Sequence, residues 1–128
     1  MKRKILFIDN EYELLSNIKL NILMRSNDTI EVDCADTIDS AFYLLSTNSY
    51  FCIITDLALP CPSLTLRYPG LRILDYCKEN RIYEYTKIIV YSAARLSDQE
   101  LSSYPFKIKS LNKTILVSEL FEEIFNVP

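Results

Sequence analysis

Short, continuous apolar runs alternate along this chain with segments whose apolar residues recur at helical spacing. The first pattern is typical of strands buried on both faces, and the second is typical of helices with one apolar face. Alternation of the two favours a parallel sheet covered by helices on both sides. The clearest run, Phe51–Thr55, stops abruptly at Asp56, and Pro60 follows four residues later.

Five strands and five helices are predicted from these patterns. The strands are predicted at Lys4–Asp9, Ile30–Ala35, Phe51–Thr55, Lys87–Tyr91 and Phe106–Leu111. The helices are predicted at Glu11–Arg25, after a cap at Asp36 or Thr37, after Gly70, after the capping sequence Ser97–Glu100, and from Val117 to about Asn126. Right-handed crossovers then give a flavodoxin-like, doubly wound, five-stranded parallel α/β sheet in the order 2-1-3-4-5. We expect residues 1–128 to form one domain, with no effector domain in this chain.

The composition excludes several classes of function. The chain has one glycine and no histidine, so it cannot build glycine-rich phosphate loops, Ser-His or Cys-His catalytic pairs, or the usual zinc sites. A net charge of −3 argues against direct nucleic-acid binding. No apolar run has the length of a signal peptide or a membrane span, so no membrane partner is expected.

Cysteine usage favours a reducing compartment. The four cysteines, Cys34, Cys52, Cys61 and Cys77, are widely spaced and form no CxxC pair. We therefore expect reduced thiols in a cytoplasmic protein. Cys34 and Cys52 fall in predicted strands and are expected to be small core residues.

Polar residues follow four of the five predicted strands. They are Asp9–Glu11 at the end of the first strand, Asp56 after the third, Ser92 after the fourth and Lys113 after the fifth. The carboxyl ends of parallel strands meet at one edge of the sheet, so Asp9 and Asp56 are expected to be neighbours. Gathered acids repel each other unless a cation neutralises them, and oxygen-only ligands suit Mg²⁺.

A lysine and a hydroxyl beside such a carboxylate are suited to a phosphoryl group. Together with Mg²⁺ they predict nucleophilic attack by the carboxylate on phosphorus. Each residue alone has a simpler explanation. Asp56 can merely begin a loop, and the acids in Asp9–Glu11 can merely favour a helix N-terminus. The prediction depends on all of them occurring in this chain order.

The chain resembles the receiver domain of two-component response regulators over essentially its whole length. The residues that carry the resemblance are Ile5–Glu11, Asp56–Pro60, Ile88–Ala93 and Lys113. The resemblance implies that the phosphodonor is a phosphohistidine on a sensor histidine kinase or a phosphotransfer protein.

The resemblance also implies a role for each site residue. Asp56 is implied to be the phosphoacceptor, Lys113 to pair with the phosphoryl group, and Ser92 to follow it. The implied Mg²⁺ ligands are Asp9, Asn10, Asp56 and the backbone carbonyl of Ala58. Ala93 is implied to leave room for the incoming phosphoryl group.

Four features depart from the family pattern. Asn10 replaces the commoner second acid, and Ser110 stands where an aromatic switch residue is common. Thr114 replaces a proline that is commonly cis, so we expect a trans bond after Lys113. The segment Cys61–Pro69 is longer than usual, and is either a tolerated surface insertion or a lid or partner surface beside Asp56.

The leading hypothesis is a stand-alone receiver, phosphorylated on Asp56 in a Mg²⁺-dependent reaction, that switches a contact with a downstream protein. It is a signalling domain and not an enzyme. The alternative is a binding module with the receiver fold that is never phosphorylated. A flavodoxin-type or hydrolytic enzyme is disfavoured because Asn10–Tyr12 takes the place of a phosphate loop, and because no histidine can act as a base.

Overall fold

A computed structural model of the chain describes residues 3–59, 68–115 and 117–125. The strands are β1 Arg3–Ile8, β2 Ile30–Ala35, β3 Cys52–Thr55, β4 Lys87–Ser92 and β5 Ile108–Asn112. The helices are α1 Tyr12–Arg25, α2 Ile38–Thr47, α3 Leu71–Glu79, α4 Asp98–Ser102 and α5 Val117–Phe125, with a short 3₁₀ helix at Ile82–Glu84.

The strands form one parallel sheet in the order β2-β1-β3-β4-β5. This confirms the predicted flavodoxin-like architecture. The registers pair Ile8 with Thr55 and Ser92 with Asn112. All strands therefore end at the same edge of the sheet, and the polar residues that follow them come together there.

Two apolar cores cover the two faces of the sheet. Residues along a strand alternate between faces, so Leu6 and Ile53 pack with α2 and α3, whereas Phe7 and Ile54 pack with α1 and α5. All four of these side chains have at most 1% of their surface exposed. Burial on both faces explains why the central strands consist of continuous apolar runs.

The predicted helix starts at Thr37 and Ser97 are confirmed as capping boxes. The fifth strand begins two residues later than predicted. Phe106 lies outside it because its ring stacks on Tyr83 and packs at a tilt against Tyr104. Among the residues described, no helix combines the length and the apolar composition needed to cross a membrane.

The cysteines are only partly where the sequence predicts them. Cys52 and Cys77 are buried, and burial raises the pKa of each thiol to about 12. Cys34 is exposed, so the prediction that it is a core residue is wrong. It lies on β2, which is an edge strand with one neighbour and only alternating burial. Cys61 lies outside the described residues.

Gly70, the only glycine of the chain, packs against the backbone that carries Asp56. Its N–H donates to the carbonyl oxygen of Leu57 at 2.7 Å. A Cβ atom at this position would lie 2.2 Å from the carbonyl oxygen of Asp56 and 2.6 Å from the Cα of Leu57. The start of α3 therefore approaches this loop more closely than any residue with a side chain permits.

We expect Gly70→Ala to lower the free energy of unfolding by about 3 kcal/mol, because the added methyl group forces the rigid Asp56–Leu57 backbone to move. Urea unfolding measures this loss. Ser16→Ala, on the exposed face of α1, is the control and is expected to change stability by less than about 0.5 kcal/mol. Equal stabilities of the two variants would contradict the close approach.

Candidate functional site

The carboxylates of Asp9 and Asp56 lie side by side where β1 and β3 end. The N–H of Asp56 donates to Ile8 at 2.9 Å, and the N–H of Asp9 donates to Ala35 at 3.0 Å. These bonds continue the sheet by one residue beyond each strand. Asp9 is 0% exposed and Asp56 is 4% exposed. Two acids are thus buried together at the point where the strand order reverses, which is where open α/β sheets bind ligands.

The ammonium group of Lys113 lies among three carboxylates. Its Nζ atom is 2.8 Å from Asp9 Oδ2, 2.9 Å from Asp56 Oδ2 and 3.0 Å from Glu11 Oε1. The backbone N–H of Lys113 donates to the carbonyl oxygen of Ser92 at 3.2 Å, which fixes where the side chain starts. Three carboxylates around one ammonium leave a formal local charge of −2.

Ser92 holds the other oxygen of Asp56. Its hydroxyl donates to Asp56 Oδ1, and the N–H of Ala58 donates to the same oxygen at 3.2 Å. The Ser92 hydroxyl oxygen also accepts from the N–H of Ala94 at 3.2 Å. Both oxygens of Asp56 are therefore hydrogen-bonded, Oδ1 by Ser92 and Ala58 and Oδ2 by Lys113.

The two oxygens of Asp9 have different surroundings. Oδ1 accepts the N–H of Glu11 at 3.0 Å. Among the described residues no donor makes a well-aligned hydrogen bond to the buried Oδ2, although the Lys113 ammonium lies 2.8 Å away. Burial raises the pKa of Asp9 above its ordinary value, against the opposing effects of Lys113 and of the Glu11 N–H.

Lys113 remains protonated under all ordinary conditions. Burial by itself lowers the pKa of its amine, but the close contacts with the carboxylates of Asp9, Asp56 and Glu11 outweigh this and raise the pKa above its ordinary value. The ammonium is thus a permanent positive charge at the strand ends.

The donor set fits a divalent cation of the Mg²⁺ type. Carboxylate oxygens of Asp9, Glu11 and Asp56 all lie within 4.8 Å of one another. Mg²⁺ binds through a few carboxylates and keeps several of its waters. The buried Oδ2 of Asp9, which has the Lys113 ammonium 2.8 Å away but no aligned hydrogen-bond donor among the described residues, is a suitable ligand atom for such an ion.

The remaining predicted site residues lie close to this group along the chain or on a strand that leads to it. Asn10, Ala58 and Ala93 are exposed beside it. Ser110 is half-buried on β5, paired with Val90. These positions are compatible with the implied roles but do not test them.

Two further predictions concern the neighbouring loops. No cis peptide bond occurs in the described parts of the chain, so the bond between Lys113 and Thr114 is trans, as predicted. Most of the segment Cys61–Pro69 lies outside the described residues, as does Pro60. The alternatives of a lid and a simple insertion therefore stay predictions.

Glu11 enters the site although the sequence predicts it only as one of three polar residues after the first strand. The resemblance assigns the second ligand of this segment to Asn10. The N–H of Glu11 bonds to the side chain of Asp9, in the manner of an Asx turn. An aspartate two residues before the N-cap of a predicted helix is the sequence signal of this turn.

Comparisons with known proteins give matches in structure only. No family model matches the sequence, and no curated protein matches it. The receiver domain of Francisella response regulator 1452 has 22% identity and a TM-score of 0.74, over 96% of this chain and 93% of that chain. The response regulator TrrA of Thermotoga maritima, in complex with Mg²⁺-BeF, has 21% identity and a TM-score of 0.72, over 95% and 96%. The chemotaxis response regulator CheY4 of Vibrio cholerae has 16% identity and a TM-score of 0.75, over 97% of both chains.

These likenesses extend over nearly the whole chain. At such identities they concern the fold, and the chain has the fold of response regulator receiver domains. The resemblance stated from the sequence is confirmed at that level.

We expect Lys113→Met to lower the free energy of unfolding by about 3 kcal/mol, because it leaves the buried carboxylates of Asp9 and Asp56 without a cation. The measurement is urea unfolding at neutral pH without divalent ions. Lys107→Met, at an exposed position, is the matched control and is expected to stay within about 0.5 kcal/mol of the wild type. A Lys113→Met variant as stable as this control would contradict the role of the ammonium.

Proposed function

We propose that this chain is a two-component receiver domain in which Asp56 accepts a phosphoryl group in a Mg²⁺-dependent reaction. The observation that carries the proposal is the pairing of Asp56, whose Oδ1 accepts the Ser92 hydroxyl and whose Oδ2 accepts the Lys113 ammonium. The whole-length likeness to receiver domains supports it.

In the proposed reaction an oxygen of Asp56 attacks the phosphorus of a phosphohistidine. A P–O bond forms as the P–N bond breaks, and the imidazole leaves with the electron pair of that bond. The product is an acyl phosphate on Asp56. Burial favours this attack because a poorly hydrated carboxylate has less water to shed before it reacts.

Lys113 and Ser92 supply the donors that the added negative charge requires. Each now holds one oxygen of Asp56, so a phosphoryl group bound there meets a fixed ammonium and a rotatable hydroxyl. Asp56 must give up one of these bonds to attack, because both of its oxygens are engaged. Ala93, exposed beside Ser92, presents only a methyl group to the incoming phosphoryl.

The carboxylates of Asp9 and Asp56 and the backbone carbonyl of Ala58 would hold the proposed Mg²⁺. When bound, it neutralises charge on the phosphoryl oxygens during transfer. Asp9 keeps its Oδ1 on the Glu11 N–H and directs its Oδ2 to the site.

Receiver domains are signalling domains, and we propose the same of this chain. Its phosphodonor is then a sensor histidine kinase or a phosphotransfer protein, and its output is a contact with a downstream protein. Ser92 is the last residue of β4 and Lys113 follows β5, so a change in their bonds is transmitted to these strands. Ser110, on β5 three residues before Lys113, occupies the position from which such a change is read.

A binding module that is never phosphorylated is the second candidate. It is favoured by the contacts of Lys113 with all three carboxylates, since the ammonium already occupies the place of a cation. The two candidates differ in whether the site binds Mg²⁺ and accepts a phosphoryl group.

With acetyl phosphate and Mg²⁺, we expect intact-mass measurement to detect one phosphoryl group on the wild type and none on Asp56→Asn. Asp39→Asn, which removes an exposed acid from α2, is the matched control and is expected to be phosphorylated like the wild type. Removal of Mg²⁺ with a chelator is expected to abolish the adduct.

The other outcomes are equally informative. An adduct of undiminished yield on Asp56→Asn would assign the phosphoryl group to another residue. No adduct on the wild type, together with no saturable Mg²⁺ binding, would favour the unphosphorylated module.

A further inference from the structure

We propose that Glu11, and not Asn10, provides the second carboxylate ligand of the Mg²⁺ in this chain. The inference rests on the proposed function, because it concerns the same site. It changes the ligand set from the one that the family resemblance implies. The acid that is missing at position 10 is supplied by the next residue along the chain.

The backbone brings Glu11 back over the site. The Asp9 side chain accepts the N–H of Glu11 at 3.0 Å, and this bond closes a tight turn between β1 and α1. Glu11 is the N-cap residue of α1, with extended backbone angles. The longer side chain of a glutamate spans the additional residue, and its Oε1 lies 3.0 Å from the same ammonium that contacts Asp9 and Asp56.

An independent observation points to a cation here. Oδ2 of Asp9 is fully buried, has no aligned hydrogen-bond donor among the described residues, and has the Lys113 ammonium 2.8 Å away. It belongs to the group of carboxylate oxygens, from Asp9, Glu11 and Asp56, that lie within 4.8 Å of one another. One Lys113 ammonium is shared among the three carboxylates, so the buried Oδ2 of Asp9 keeps lone-pair capacity that a further cation can use.

The charge balance also favours Glu11. Asp9 and Asp56 with Lys113 carry a formal charge of −1, which is too little to neutralise a divalent ion. With Glu11 the charge is −2 and matches the ion. Asn10 offers a neutral amide oxygen and leaves this balance unchanged.

Exposure gives Glu11 the freedom that a ligand needs. Its side chain is 59% exposed, whereas those of Asp9 and Asp56 are 0% and 5% exposed. The two aspartates are thus fixed by the sheet, and Glu11 can turn from Lys113 towards an ion that enters from solvent. Mg²⁺ keeps several waters, so such an open side suits it.

Calorimetric titration with Mg²⁺ tests the assignment on the full chain. Glu11→Gln is expected to weaken binding at least about tenfold, and Asn10→Ala is expected to weaken it less. Glu13→Gln removes the same charge from the exposed first turn of α1 and is the control for long-range electrostatics, with an expected change below about threefold. Circular dichroism and urea midpoints establish that each variant is folded.

Glu11→Asp separates ligation from charge. It keeps the negative charge but shortens the side chain by one methylene group, so direct ligation predicts weakened binding. Wild-type affinity in Glu11→Asp, or equal losses in Glu11→Gln and Glu13→Gln, would overturn the proposal. A large loss in Asn10→Ala with none in Glu11→Gln would return the role to Asn10.

The proposed function fails separately. If the wild type neither binds Mg²⁺ nor accepts a phosphoryl group from acetyl phosphate, the proposed function and this inference are both wrong. If the wild type is phosphorylated and Glu11→Gln binds Mg²⁺ as tightly as the wild type does, only the ligand assignment is wrong.

Discussion

The contact between the Lys113 ammonium and the carboxylates of Asp9 and Asp56 is the interaction on which this edge of the sheet depends. Two carboxylates buried beside each other cannot both stay ionised without a counter-charge. Lys113 follows β5, which β4 separates from β3, so its side chain reaches past the end of a neighbouring strand. One ion contact therefore ties together the ends of three strands that do not all touch.

The same arrangement is a compromise between stability and chemistry. A buried Asp9 oxygen without an aligned donor and a formal charge of −2 both oppose folding, and an apolar strand end would avoid them. Tight packing around the sheet offsets the free-energy cost of these buried charges. Gly70 lets the start of α3 pack closely against the backbone of Asp56 and Leu57. The two apolar cores cover both faces of the sheet. An electrostatic cost of this kind at strand ends is expected where a site binds a ligand.

The fold could be predicted from sequence because its signals are local. Continuous apolar runs and helical stripes gave the parallel sheet, and the polar residues that follow the runs gave Asp9, Asp56, Ser92 and Lys113. Other features depend on contacts that a sequence does not display. Cys34 is exposed because β2 is an edge strand, and Phe106 leaves β5 because of aromatic partners elsewhere in the chain. The position of Glu11 depends on a turn closed by one side-chain hydrogen bond.

Sequence identity to structures of the same fold is only 16% to 22%. This low identity is expected because the fold and the site require particular residues at only a few positions. The cores need apolar residues with the right periodicity but not particular ones. The site needs carboxylate oxygens and an ammonium group at fixed positions in space. Side chains from different positions in the sequence can place an oxygen at the same position. Glu11 reaches the group around Lys113 from one position beyond the place where the family resemblance expects an acid. The proposed ligand set is thus shifted by one residue along the chain, and sequence comparison that scores residues position by position would not register such a shift.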